Sequence, residues 1–513
     1  MSKVPRHSDF ADRLPHADYF EAVRAEVIGS GATFDGPYGR REIIYADWVA
    51  SGRLYRPIER AMTERFGPYL ANTHTETSIT GSFMTRAYHE AKAIIKMHVN
   101  AGSGDVLIPA GSGMTGAVNK FQRILGLKVP EQLRHSVNVP EADRPVVFIT
   151  HMEHHSNQTS WLETIADVEI IHSTNEGLVD LEHLKELLDQ YADRRVKYAS
   201  VTACSNVTGI EVPIHEIARL MHEHDGFCFV DYACSAPYVL IDMHPADPME
   251  ALDAIFFSPH KFLGGPGSAG ILILNSRLYH NRVPDQPGGG TVRWTNPWKE
   301  HRYVDEIEER EDGGTPPFLQ TIRAALAIRL KEELDATRMK EREQSMTEYL
   351  LNRMIRIPSL HVLAENIPER LGVLSFYIDG LHYNLGSKLL NDRFGIQVRG
   401  GCSCAGTYGH YLLHVSKDYS HRITSEIDKG DLSLKPGWIR VSLHPVMSEE
   451  EVVRVADALE SLAENHKEWA SDYEYDPHTN EFDHKTAEKE QLAVVSDWFK
   501  LLPLEEELSQ ILV

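Results

Sequence analysis

The sequence predicts an α/β fold, a mostly parallel seven-stranded sheet flanked by helices and followed by a smaller α+β unit. Three observations predict it. Between about residues 100 and 280, short β-branched runs alternate with amphipathic helical stretches, the rhythm of a sheet with helices on both faces. A long helical pattern over 314–354 leads away from that region. Beyond it, strands and helices follow in mixed order and close on a helical stretch ending near 470.

The strands read in order as DVLIPA (105–110), PVVFIT (145–150), VEIIHS (168–173), YASVTA (198–203), FCFVDYA (227–233), LDAIFF (252–257) and AGILIL (269–274). Near-continuous apolar runs suit strands covered on both faces. MTGAVNKFQRIL, DLEHLKELLDQYADR and PIHEIARLMHEHD carry helical apolar spacing between them. In the smaller unit VLSFYID (373–379), IQVRGG and GWIRVSLH read as strands, and NLGSKLLNDRFG and SEEEVVRVADALESLAENHKEW as helices. The polar stretch within 415–437 reads as a helix or loop insertion. The expected organisation is an N-terminal segment (1–42), a large domain (43–330), a small domain (331–470) and an acidic extension (471–513) that closes on the amphipathic SDWFKLLPLEEELSQIL. No internal repeat at solenoid periods is visible.

The 513 residues hold 52 basic and 75 acidic side chains, a net charge of −23. That balance argues against bulk binding of nucleic acid or an anionic membrane, yet leaves room for a small basic pocket. The first twenty residues lack an apolar signal core, and no run reaches the length of a membrane span. Five cysteines make no disulfide framework, so reduced thiols and a cytoplasmic location are expected.

In doubly wound sheets, ligands bind beyond the carboxyl ends of the strands, so the residues there are the candidates for chemistry. In FFSPHKFLGGPGSAG (256–270), Lys261 follows a buried strand. Desolvation lowers the pKa of such a lysine and suits it to Schiff-base formation. Asp231 ends the strand before it, and a carboxylate facing that lysine is what pyridoxal phosphate requires at its pyridine nitrogen. The turn Gly111-Ser112-Gly113 precedes a helix starting at Met114-Thr115-Gly116, and helix N-termini cradle phosphates through backbone N–H groups. Arg440, in WIRVSLH, offers a planar fork for a carboxylate. HMEHH (151–155) invites a metal reading, as does Cys402-Ser403-Cys404, although no second cysteine pair exists to complete a site.

Taken together these motifs resemble the class V aminotransferases, fold-type I pyridoxal-phosphate enzymes, and within them the cysteine desulfurase and selenocysteine lyase branch. The resemblance runs in order over roughly 43–470. IIYADWVASG (43–52), ANTHTET (71–77), GSGMTGAVN (111–119), MEHHSNQTSW (152–161), CSNVTG (204–209), VDYAC (230–234), SPHKFLGGPG (258–267), GGGTV (288–292) and GGTPP (313–317) each match a family motif in its place. The resemblance implies that Lys261 carries the Schiff base and shuttles the α-proton. Asp231, beside Ala233, would pair with the pyridinium, and His154 would stack on the ring. Gly113, Met114, Thr115, Ser258 and His260 would hold the phosphate, with Thr315 reaching it from the partner of a homodimer. Asn206 would bond the cofactor's phenolic oxygen or the substrate carboxylate. Ala50 would lie near the substrate, and Arg440 would bind its α-carboxylate.

VRGGCSCAG (398–406) fits the desulfurase pattern with Cys404 as the persulfide nucleophile, a role that needs the thiolate. The implied activity is sulfur or selenium removal from an amino acid, with a sulfur-acceptor protein as a possible partner. A class V aminotransferase, epimerase or C–S β-lyase without a catalytic cysteine is the alternative; a non-enzymatic metal-binding protein ranks below it. Three departures stand out. Cys234 replaces the family's Gln, Met114 replaces the first Thr of the phosphate loop, and Cys402 is an extra thiol. If the segment is extended, Cys402 and Cys404 share one face and both sulfurs approach the site.

Overall fold

The computed structural model describes residues 14–486 and 494–499. The amphipathic stretch expected at the C-terminus lies almost wholly outside the described residues. Seven strands form the main sheet: β1 (Asp105–Pro109), β2 (Val146–Thr150), β3 (Asp167–Ile171), β4 (Lys197–Thr202), β5 (Phe227–Asp231), β6 (Ala254–Phe257) and β7 (Ile271–Asn275). Their order is β1-β7-β6-β5-β4-β2-β3. All neighbours run parallel except β7, which is antiparallel to both β1 and β6.

The apolar runs are continuous because both faces are covered. Side chains alternate along a strand, so β6 sends Ile255 and Phe257 into one core and Ala254 and Phe256 into the other. The helix Met114–Ile124 buries Ala117, Val118 and Phe121 in the second core, where Trp161 joins them. Helices Ile214–Glu223 and Phe318–Leu334 pack into the first.

The long pattern over 314–354 is two helices, Phe318–Leu334 and Ala336–Met354. Asp335 breaks them: at φ 68 it leaves the helical region, and its carboxylate accepts the N–H groups of Thr337 and Arg338. An Asp at an N-cap stabilises such a restart; in the periodicity alone it passes for one more polar residue.

A second sheet follows, with β8 (Leu360–Val362), β9 (Val373–Ile378), β10 (Arg399–Gly401) and β11 (Trp438–Ser442) in the order β8-β9-β11-β10. The N-terminal side of the chain reaches this unit. Ile44–Tyr45 pairs in parallel with Ile396–Gln397, and Asp47 bridges to Ser442. The insertion forms a helix, Lys417–Asp428. Part of the acidic extension is a hairpin, Tyr473–Asp476 with Glu481–His484. It is docked by side chains: Tyr473 Oη donates to Asp392 (2.8 Å), Asn384 Nδ2 to Asn480 O (2.6 Å) and Asn480 Nδ2 to Tyr383 Oη (2.7 Å).

Asp392 is 2% exposed. Tyr473→Phe therefore leaves a buried carboxylate short of a donor and should cost about 1–3 kcal/mol, read as a lowered midpoint of thermal unfolding. An unchanged midpoint would mean the hairpin does not dock there.

Candidate active site

The strand ends of the main sheet enclose a cavity of about 270 Å3. Gly113, Met114 and Thr115 enter it after β1, His154 after β2, and Thr202, Cys204 and Asn206 at or after the end of β4. Asp231, Ala233 and Cys234 enter from β5, and Ser258, His260 and Lys261 from the turn after β6. Four expected site residues, Ala50, Thr315, Cys404 and Arg440, lie outside its walls. Thr315 is exposed on this chain.

At one end, Met114 N donates to Ser258 Oγ (2.8 Å), and Thr115 Oγ1 meets Ser156 Oγ at 2.7 Å. A side chain at Gly113 would fill the space, since its Cβ would stand 3.1 Å from Ser258 Oγ and 3.5 Å from the His260 ring. Burial and Lys261 pull the pKa of His260 down to about 4. The imidazole is therefore neutral, and the end offers hydrogen-bond donors rather than an extra charge.

Across the floor, burial lowers the pKa of Lys261 against the opposing pull of Cys234 and Asp231. Burial raises the Asp231 carboxyl to about 6, opposed by the Ala233 N–H (2.8 Å) and Lys261. Both groups are drawn toward neutrality, the direction that frees a lysine as a nucleophile. Cys204 and Cys234 both donate to Ser205 O, at 3.6 and 3.7 Å, and their thiols face each other.

The side chains of HMEHH diverge. His154 caps the helix His155–Leu162, its Nδ1 accepting the Ser156 N–H at 3.0 Å, and burial takes its pKa down to about 3. His155 Nε2 accepts the Gly406 N–H (2.8 Å), and His151 packs edge-on against Tyr408. Glu153 is buried and accepts Thr150 N (3.2 Å), Thr150 Oγ1 (2.6 Å), Thr202 N (2.9 Å) and Asn157 Nδ2 (2.7 Å). Among the described residues, no group of three or more His, Cys, Asp or Glu side chains is placed to hold a metal ion.

The Cys402–Cys404 turn is docked on the pocket's rim. Asn206 Nδ2 donates to Ser403 O (2.7 Å), and His155 N donates to Cys404 O (2.7 Å). The shared face expected of an extended segment does not form. β10 ends at Gly401, and Ser403 and Cys404 are left-handed, at φ 49 and 56. In consequence Cys404 is exposed while Cys402 packs half-buried against the core. Left-handed non-glycine residues carry strain that their surroundings must hold in place, and the two hydrogen bonds supply that hold.

Sequence reasoning missed Asp47, which was read only as part of IIYADWVASG. Its Oδ1 accepts Arg440 Nη2 (2.8 Å) and its Oδ2 accepts Arg399 Nε and Nη2 (3.2 Å each). Arg440 Nη1 donates to Asn206 O at 3.0 Å. Ala50 lies on the same segment; two residues on, Gly52 N donates to His260 O at 3.0 Å. Arg440 Nε and Asn206 Oδ1 are buried without hydrogen-bond partners. Such atoms are rare unless a ligand completes them.

These residues fit pyridoxal phosphate. Ser258 and the helix N-terminus suit a phosphate, Asp231 a ring nitrogen, Lys261 an aldehyde and the flat face of His154 a ring. Residues 44–455 match the family described as Aminotransferase class-V. A probable cysteine desulfurase of Staphylococcus epidermidis is 27% identical over 384 residues, covering 74% of this chain and 87% of its own length. One from Streptomyces coelicolor is 27% identical over 430 residues, 81% of this chain and 96% of that one. Among solved structures, an apo cysteine desulfurase from Thermococcus onnurineus NA1 aligns with a TM-score of 0.68 at 22% identity, covering 91% of this chain and all of the other. At that identity the likeness establishes the fold.

Burial raises the pKa of Glu153 to about 7. A carboxyl raised on folding stabilises the protein fully below its unfolded pKa, and that contribution is lost as pH rises through the folded value. The stability advantage of the wild type over Glu153→Gln, from denaturant unfolding, should therefore shrink between about pH 4.5 and 7 and level off above. An advantage that grows over that window would refute the assignment.

Proposed function

Because the chain belongs to the class V aminotransferase family, we propose that it is a pyridoxal-phosphate enzyme that removes sulfur from L-cysteine, or selenium from selenocysteine, and releases alanine. The observation that carries this reading is the docking of the Cys402–Cys404 turn onto Asn206 and His155, at the rim of the pocket that holds Lys261 and Asp231. The relatives named as cysteine desulfurases support it. A homodimer in which Thr315 serves the partner's site, a protein that accepts the sulfur, a cytoplasmic location and domain boundaries near 43, 330 and 470 belong to the same proposal.

Bound in the pocket, pyridoxal phosphate supplies an electron sink for the substrate's α-carbon. Asp231 would hold the ring nitrogen, and its burial leaves that cation as the partner it lacks. Lys261, its pKa lowered by desolvation, would hold the aldehyde and then carry the α-proton. Arg440 Nε, a donor without a partner, would take the substrate's carboxylate, and Asn206 Oδ1, an acceptor without a partner, would take the O–H of the cofactor's phenolic group when that oxygen is protonated. Cys404, exposed at the rim, would attack the substrate sulfur as a thiolate. The new S–S bond leaves a persulfide on Cys404, and the C–S electrons pass to the carbon that becomes the methyl group of alanine after protonation.

Purified enzyme incubated with L-cysteine and a thiol reductant should yield alanine and sulfide in equal amounts. Cys404→Ser should cut that yield by at least about 100-fold while leaving the cofactor's yellow absorption intact, and Lys261→Ala should abolish both, on the usual scale of lost covalent catalysis. Pyruvate and ammonia in place of alanine would point to a lyase. Sulfide production untouched by Cys404→Ser would remove the nucleophile from this account.

A further inference from the structure

Two arginines confront each other at the edge of the pocket. Arg399 of β10 and Arg440 of β11 are direct partners in the antiparallel register. Like charges placed opposite one another weaken a strand pair, and Arg440 is only 3% exposed. Asp47 resolves the conflict by giving one carboxylate oxygen to each guanidinium.

Its place is fixed by backbone contacts. Asp47 bridges to Ser442, Val49 N donates to Ser442 Oγ (3.0 Å) and Ala50 N donates to Asp47 O (3.0 Å). The two guanidinium groups and one carboxylate leave a single positive charge. Arg399 has both of its contacting nitrogens on Asp47, and Arg440 spends Nη2 there and Nη1 on Asn206 O. What stays open is Arg440 Nε, buried and without a partner.

We propose that Asp47 sets the charge of the substrate: by occupying Arg399 and one arm of Arg440, it leaves room for one carboxylate and turns away an amino acid whose side chain is also acidic. The inference rests on the reading of Arg440 as the ligand of the α-carboxylate. A second acidic group at this rim would meet the Asp47 carboxylate and find Nε and Nη2 of Arg399 already held by it. With Asp47 neutral, Arg399 becomes available to it, 47% exposed and directly opposite Arg440.

The test is calorimetric binding of L-alanine and L-aspartate to the holoenzyme. Asp47→Asn should strengthen L-aspartate relative to L-alanine by about fivefold, the scale of one partly exposed ion pair. Asp47→Asn/Arg399→Gln, which also relieves the repulsion between the strands, should return the ratio to that of the wild type. Arg399→Gln alone keeps Asp47 charged and should move the ratio the other way, so the idea remains testable if Asp47→Asn folds poorly. An unchanged ratio in Asp47→Asn, with L-alanine still bound, overturns the inference. Arg440→Gln that binds L-alanine as well as the wild type overturns the underlying reading instead.

Discussion

The structure depends on how tightly backbone packs against backbone around the turn that carries Lys261. Gly52 N donates to His260 O (3.0 Å) and Gly264 N to Arg53 O (2.7 Å), so the turn is gripped from both sides. A Cβ at Gly52 would stand 1.9 Å from Phe262 O, and one at Gly265 1.8 Å from Pro259 O. Neither position admits a side chain. The grip keeps Lys261 at the strand end on the wall of the cavity, and burial is the first cause of its lowered pKa. It also pins the segment that begins at Ile44, which pairs with Ile396–Gln397 and carries Asp47 to the two arginines. One close approach therefore aligns the lysine with the smaller sheet.

Desolvation dominates the electrostatics of the pocket. It is the leading cause of the shifts at Asp231, His154, His260 and Lys261, and in each case it favours the neutral form. Charged groups kept from water cost free energy until a partner of opposite sign arrives. The pocket is accordingly built to gain from a ligand that brings its own charges: an anion for the helix N-terminus and a cation for Asp231. The chain's net charge of −23 describes the exterior, while binding at the site is decided by a few groups shielded from it.

Lys261, Asp231 and Gly113 were legible because each follows a recognisable strand, and strand ends in this fold converge by topology. The two-faced burial was legible too, in the unbroken apolar runs of β2 and β6. Asp47 was not, because its meaning comes from contacts 352 and 393 residues away in sequence. Glu153 was hidden for a related reason: within HMEHH it looks like a metal ligand, and only the folded chain shows it accepting from β2, the end of β4 and the helix between them. The turn at Cys402 departs from the extended conformation that would place both thiols on one face. Left-handed φ values at Ser403 and Cys404 have no local sequence signal, as neither residue is glycine or asparagine; tertiary hydrogen bonds impose them.

Composition also makes the acidic extension look like a solvated appendage, and the hydrogen bonds assign its first part a different place. Asn480 Nδ2 donates to Tyr383 Oη, which in turn donates to Lys435 O (3.1 Å), close before β11. Asn384, next to Tyr383, donates to Asn480 O, and the insertion meets the same hairpin where Leu432 N donates to Pro477 O at 2.9 Å. β11 pairs with β10, and β10 leads directly into Cys402. The hairpin and the insertion thus brace, from behind, the strand pair whose end presents Cys404. A strained turn stays in one conformation only if its supports are rigid. Here Asn206 and His155 supply that support from the pocket side, and residues 473–484 supply it from the other.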